Sequence, residues 1–355
     1  MSCPAVTAYA TAPFRPRPIV SIGAGGIVHD AHLPAYRKAG FTVAGIYDLD
    51  RDKAGALARQ FGIPRVYASL AEAAAEAPAE AVFDIAVPAA ALAEIVAALP
   101  EGRAVLLQKP LGESREEAER LVALCHQKHL RAAVNFQLRH APNMLAARAL
   151  LAGGALGDLH AMEARVNVYM PWHLWSFLLP HPRVEILYHS IHYLDLFRSF
   201  LGEPRSVYAK TTRHPAAAEM SPTRSAIILD YGDDVFAVIT ASHGNRSGRA
   251  QQESFIRWEG TRGMMVAQMG VNLNYPAGEP DTLAYCTLDN GAPSWRTVAL
   301  AGNWFPDAFI GSMASVMRWA DDSSQPAPTA VEDACRTMAL VEAAYASSAA
   351  GGRHV

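Results

Sequence analysis

The stretch Ile19-Val-Ser-Ile-Gly-Ala-Gly-Gly-Ile-Val-His29 places a short apolar strand directly before a glycine turn and a helical segment. Gly23 gives the chain freedom to turn sharply, and Gly25 omits a side chain where a ligand would approach the backbone. A helix starting there directs free N–H groups and the positive end of its dipole at whatever sits against the turn, which suits a phosphate. Asp48 then closes a second apolar strand, Thr42-Val-Ala-Gly-Ile-Tyr47. A carboxylate in that place accepts hydrogen bonds from a ribose diol and repels a 2′-phosphate. Strand, glycines, helix and acid in this order point to a dinucleotide cradle, with NAD expected and NADP disfavoured. The glycines alone do not carry this, because the third position of G-x-G-x-x-G is Val28.

The rest of the first half agrees. Apolar runs at 19–22, 42–47, 82–87, 104–107 and 132–136 alternate with helical patterns, as a parallel sheet with crossover helices requires. Ser114-Arg-Glu-Glu117 is a capping box that opens one of those helices, and the alanine-rich stretch 71–81 also reads as helix. After Arg139 the texture changes. A helix through Met144 to Leu151 ends at Gly153-Gly154, and strand-like runs then alternate with turn residues. Runs 225–231 and 235–240 flank Gly232-Asp-Asp234, and Phe255–Trp258 and Met264–Gln268 flank Glu259–Gly263, so two antiparallel hairpins are expected. Thr329-Ala-Val-Glu332 is a second capping box, opening a helix over 330–347 with Val331, Cys335, Met338 and Val341 on one face.

The expected fold class is α/β: an N-terminal Rossmann doubly wound parallel sheet, then a C-terminal α+β domain on a large, mostly antiparallel open sheet. The boundaries read 1–18 for a flexible arm, 19–137 for the dinucleotide domain and 138–355 for the substrate and oligomerisation domain, with helix 330–347 as a candidate to pack back on the first. A chain of 355 residues, 51% hydrophobic, has enough apolar material for two cores. Its net charge of -3 and lack of a Lys/Arg run argue against nucleic acid as a partner. Nothing approaches the ~20 apolar residues of a membrane span. The arm lacks the charged and apolar regions of a signal peptide. Four cysteines without C-x-x-C spacing suit reduced thiols, and a cytoplasmic setting is expected. Cys125 and Cys335 fall on apolar helix faces and read as core.

Taken together, Gly23-Ala-Gly-Gly-Ile27, His32-Leu-Pro-Ala-Tyr36, Asp48-Leu-Asp-Arg-Asp52, Gln108-Lys-Pro110, Gly154-Ala-Leu-Gly157, His192-Tyr-Leu-Asp195 and Gly260-Thr-Arg-Gly263 resemble the Gfo/Idh/MocA oxidoreductases in order and spacing. The resemblance implies a nucleotide domain, an open sheet that joins subunits into a homodimer or homotetramer, and an active site between the domains. It also implies NAD- or NADP-dependent oxidation or reduction of an oxygen-bearing carbon in sugars, polyols or their acids. The cofactor contacts it implies are Gly23, Gly25, Gly26, Ile27, Asp48, Val87, Pro88, Gln108, Lys109 and Pro110. Three positions depart from the family's usual residues: Gln108 replaces a glutamate, Tyr188 an aspartate and Leu92 a histidine.

Hydride transfer from an alcohol needs a base for the hydroxyl proton and a cation or donor for the developing alkoxide. Lys109, directly after the fourth strand, suits the second role. His192 suits the first, because its imidazole titrates near neutrality, and Asp195 one turn on can orient it. Tyr188 shares the helix face of His192, and its phenol can donate a hydrogen bond or relay a proton, but supplies no fixed charge at pH 7. Trp172, His173, His189, Asn135 and Arg139 are the candidate substrate contacts. For Trp172 and Trp175, stacking on a sugar face and packing in the core or a subunit contact stand as equal readings. Arg139 suits either a sugar-acid carboxylate or an ion pair. Glu185, His189 and His192 have a spacing that raises a metal site, yet the pattern is not H-E-x-x-H, and no metal is expected. The leading function is an NAD-dependent dehydrogenase for CH–OH groups. A redox-neutral, NAD-dependent glycoside cleavage and a non-catalytic NAD-binding regulator are the alternatives.

Overall fold

The computed structural model describes residues 14–275, 277–288 and 292–353. Residues 1–13 of the expected arm, with Cys3, lie outside the described residues. In chain order the elements are β1 (Ile19–Ile22), α1 (Leu33–Ala39), β2 (Val43–Tyr47), α2 (Arg51–Phe61), α3 (Leu70–Glu76), β3 (Val82–Ile85), α4 (Leu92–Ala98), β4 (Ala104–Leu107), α5 (Arg115–Gln127) and β5 (Arg131–Val134). There follow α6 (Pro142–Ala152), β6 (Leu159–Asn167), α7 (Ile191–Leu201), β7 (Ser206–Thr212), β8 (Arg224–Asp230), β9 (Phe236–Ser242), β10 (Glu253–Gly260) and β11 (Gly263–Gln268). The last are β12 (Thr282–Thr287), β13 (Ser294–Thr297), α8 (Asp307–Asp321) and α9 (Val331–Ala350).

The chain groups into two compact units, one of residues 14–140 and 305–338, the other of 141–304 and 339–353. In the first unit five parallel strands lie in the order β2-β1-β3-β4-β5. The reversal of order at β1 and β3 is where a doubly wound sheet places its ligand. Every residue of β1, β3 and β4 is buried, as strands covered on both faces require. Ile19, Val28, Leu33, Tyr36, Ile46 and Leu106 share their core with Phe309, Ile310, Met313, Val316 and Met317 of α8. That apolar face explains why 305–338 groups here, whereas the sequence division runs 138–355 in one piece.

Local chemistry sets several element ends. Ser114 Oγ accepts from the Glu117 N–H at 3.2 Å, and the Glu117 carboxylate accepts from the Glu113 N–H at 2.7 Å, so the first capping box closes with its return bond one residue early. The second does not close. Val134 N–H donates to the Thr329 carbonyl at 2.8 Å and Ala330 bridges Ala133, which fixes this segment along β5 and leaves Thr329 Oγ1 buried without a hydrogen bond. α9 starts at Val331 instead, and Glu332 pairs with His126. The helix expected over 71–81 ends at Glu76, because Pro78 forces Ala77 into extended geometry. Cys125 is buried, whereas Cys335 is only half-buried rather than core.

In the second unit eight strands run β13-β12-β11-β10-β6-β9-β8-β7, antiparallel except for the β6–β9 pair. Both expected hairpins are present, β8 with β9 and β10 with β11. One face of this sheet carries Tyr208 and Ile228, directly opposite each other, with Phe236 nearby on β9; they are 61%, 48% and 59% exposed. Among the described residues no helix is long and apolar enough to cross a membrane.

Candidate functional site

In the first unit the glycine turn follows β1 directly. Gly23 has φ +113°, and a Cβ there would overlap the Ala86 carbonyl oxygen and touch Val87, so glycine is required. At Gly25 a Cβ would meet nothing within 4 Å, and Gly26 is similarly open, with Asp30 at 4.0 Å its nearest neighbour. The backbone there is bare on the side where helix N–H groups emerge, a cradle that fits a pyrophosphate. Ile27 packs half-buried against the core behind it. The helix continues through a π turn, Val28–His32, in which the Leu33 N–H reaches back to Val28. Pro34 follows with no N–H to donate, so the wider turn accommodates it.

Asp48 ends β2 and its carboxylate ties the two loops together. Oδ2 accepts from the Ala24 N–H at 2.6 Å and Oδ1 from the Asp50 N–H at 2.8 Å. Each oxygen keeps a lone pair, so a ribose hydroxyl can still donate to it. Val87 is half-buried and Pro88 exposed at the end of β3. Gln108 and Lys109 follow β4, with Pro110 buried behind a cis Lys109–Pro110 bond. These residues stand at the carboxyl edge of the sheet, so the residues present fit a dinucleotide. Lys109 keeps part of its surface accessible, yet desolvation lowers its pKa to about 8.

Behind Gln108 lies a buried polar chain that sequence reasoning missed. Asn135 Nδ2 donates to Gln108 Oε1 at 3.0 Å and lies 3.3 Å from His32 Nε2. His32 Nδ1 is 2.8 Å from Asp84 Oδ2, which also accepts from the Tyr36 hydroxyl at 3.0 Å. Burial and the Asp84 charge push the Tyr36 phenol well above its usual pKa, so it stays a donor. Asn135, expected from sequence as a substrate contact, is fully buried and supports Gln108. Arg139 forms an ion pair: its guanidinium binds Asp333 at 2.6 Å and the Pro328 carbonyl at 3.0 Å.

In the second unit the turn Glu185–Ser190 is π-helical and leads into α7. Tyr188 sits with its hydroxyl 3.4 Å from His181 Nε2, and its ring packs edge-on against His181 and Phe177 at centroid distances of 5.0 and 6.0 Å. His189 packs against His243 at 4.3 Å, and Trp172 meets both imidazoles edge-on at 5.4 and 5.9 Å. Tyr188 therefore stands with His181 and Phe177, and His189 with Trp172 and His243; His181 and His243 were not singled out by the sequence reading. Trp175 packs on Tyr275 at 5.2 Å, and His173 is exposed. His192 is buried and meets Trp304 edge-on at 5.7 Å; Trp304 is held by a backbone bond to buried Asp281. Glu185 is fully buried, accepting from Ser190 Oγ at 2.7 Å and lying 3.6 Å from His243 Nε2. Among the described residues no group of three or more His, Cys, Asp or Glu side chains is arranged to hold a metal ion.

Comparison with known proteins agrees with this geometry. Residues 18–136 match the oxidoreductase family with an NAD-binding Rossmann fold, and residues 144–266 match the GFO/IDH/MocA C-terminal domain. A D-apiose dehydrogenase from Rhizobium rhizogenes is 27% identical over 327 residues, which cover 89% of this chain and 90% of that one. An oxidoreductase from Agrobacterium radiobacter, solved with NAD+, L-tartaric acid and magnesium, superposes with a TM-score of 0.78 at 22% identity, over 94% of this chain and 97% of that one. The WlbA dehydrogenase from Bordetella pertussis, solved with NADH and UDP-GlcNAcA, gives 0.71 at 19% identity, over 94% and 97%. With both of its parts matched by the family's two domains, this chain belongs to the Gfo/Idh/MocA family of oxidoreductases.

Proposed function

We propose that the chain is an NAD-dependent dehydrogenase moving a hydride between nicotinamide and a carbon-bound hydroxyl or carbonyl of a sugar, polyol or sugar acid. The observation that carries this is Lys109: a partly desolvated ammonium at the carboxyl edge of the same sheet whose glycine turn and Asp48 suit a dinucleotide. NAD, when bound, supplies the hydride acceptor. Lys109 polarises the substrate oxygen and stabilises it as negative charge develops. His192 takes the hydroxyl proton and returns it in the reverse direction. Tyr188 donates to a substrate hydroxyl with His181 behind it, and Trp172, His173 and His189 supply further substrate contacts. Asp48 favours NAD over NADP by charge repulsion of a 2′-phosphate. The sugar-acting names among the relatives support the substrate class.

The test is a panel of sugars, polyols and sugar acids offered with NAD or NADP while nicotinamide absorbance is followed. Turnover is expected with NAD, and more slowly with NADP. His192→Asn should lower kcat by about 10²–10⁴-fold, the usual share of a general base, without changing the calorimetric affinity for NAD. No absorbance change across the panel would refute the assignment.

The exposed apolar face of the eight-stranded sheet supports a homodimer or homotetramer formed through it. Tyr208, Ile228 and Phe236 present a contiguous patch of the kind that soluble monomers rarely leave bare. Phe236→Glu is expected to shift the mass measured by light scattering toward the monomer. An unchanged oligomer would place the interface elsewhere.

A further inference from the structure

We propose that Asp84, His32 and Asn135 form a hydrogen-bond relay whose direction turns the amide nitrogen of Gln108, rather than its oxygen, toward the cofactor. The relay starts at Asp84, a fully buried acid in the middle of an otherwise apolar strand. A carboxylate only accepts, so the His32 nitrogen 2.8 Å away must carry a proton. His32 Nε2 is then the lone-pair nitrogen, and Asn135 Nδ2 at 3.3 Å donates to it. The same Nδ2 donates to Gln108 Oε1 at 3.0 Å, which fixes that oxygen inward. The ring of Phe309 packs on His32 with centroids 4.9 Å apart and the planes tilted by 58°.

The opposite polarity would need the Asn135 amide flipped and either His32 protonated on both nitrogens or Asp84 protonated and donating to His32 Nδ1. Asp84 Oδ1 is without a partner in either orientation; in the one found, the Asn135 atom left without a partner is Oδ1. After a flip it would be an NH2 group in the same buried place. A buried N–H without an acceptor is rarer than a carbonyl with an unused lone pair, and an unmade donor bond costs more. The relay therefore makes position 108 a donor to a cofactor oxygen, where a glutamate would be an acceptor. Asp84, His32 and Asn135 are positioning residues in this scheme. The inference rests on the proposed contact of Gln108 with the cofactor.

Nitrogen NMR of the full chain labelled in its histidine rings, with His32 assigned by its loss in His32→Gln, tests the direction. The expected pattern is a protonated Nδ1 and an unprotonated Nε2. A doubly protonated ring, or the opposite tautomer, overturns the relay. Asn135→Asp supplies the second test, since its carboxylate must accept from both neighbours, protonating His32 on both nitrogens and turning Gln108 Oε1 outward. NAD affinity by calorimetry should then fall about tenfold, the worth of one hydrogen bond to a polar group. In a Gln108→Ala background the same substitution should change NAD affinity no further. Equal losses in both backgrounds indicate a merely structural effect and overturn the relay. If Gln108→Ala itself leaves NAD affinity unchanged, the cofactor contact at 108 is refuted, while the NMR pattern still decides the direction of the buried chain.

Discussion

Replacing Lys109 with methionine is expected to lower kcat about a thousandfold, the scale seen when a charge-stabilising group is lost from a developing oxyanion. Methionine keeps most of the stem, so the fold should persist by circular dichroism. The same lysine sets two opposite pH dependences. Desolvation lowers its pKa to about 8, and only the ammonium polarises the substrate oxygen, so kcat should fall as pH rises through 8. Stability should move the other way. In the window between about 8 and the ordinary lysine value near ~10.4 the unfolded chain holds a proton that the folded chain has released, and stability rises with pH wherever the unfolded state binds more protons. Below that window both states are protonated and the buried charge is a fixed cost. The difference in melting temperature between wild type and Lys109→Met should therefore shift in favour of wild type from pH 8 toward pH 10. Normal turnover in Lys109→Met, or matching pH–stability curves, would discard the role given to this lysine.

Gly23→Ala is expected to be the most damaging change in the nucleotide turn. The added methyl would meet the Ala86 carbonyl at a backbone angle of φ +113° that alanine rarely adopts, and the combined overlap and strain should cost about 2–4 kcal/mol. Gly25→Ala serves as the contrast. Its Cβ enters open space, so the melting temperature should hardly move while NAD affinity falls, because the methyl stands where a pyrophosphate would lie. Thermal melts and calorimetry on the two variants separate a glycine needed for packing from one needed for a ligand. Equal melting temperatures for both would contradict the geometry at Gly23.

The parallel sheet and both hairpins were legible because burial writes a simple period into the sequence: continuous apolar runs for strands covered on two faces, alternation for strands covered on one. The glycine turn and Asp48 were legible because they are close in sequence. What escaped was long-range. His32, Asp84, Gln108 and Asn135 are scattered over a hundred residues, and only the acid inside the apolar run Val82–Ile85 hinted that a buried partner existed. Arg139 was ambiguous because its partner, Asp333, is 194 residues away. Thr329 looked like a cap because the pattern fits, yet the backbone there is committed to β5. His181 and His243 lie in segments with no periodicity, so nothing local marked them as neighbours of Tyr188 and His189.

The return of residues 305–338 to the first unit has a practical consequence for dissecting this enzyme. α8 packs on α1 and β4, with Phe309, Ile310, Met313 and Met317 in the shared core, so a fragment ending near residue 137 would bare a greasy surface and precipitate rather than serve as a free-standing nucleotide binder. Dividing the protein between its two tasks calls for a spliced gene, in which the late segment is stitched behind the early one and the intervening sheet is removed.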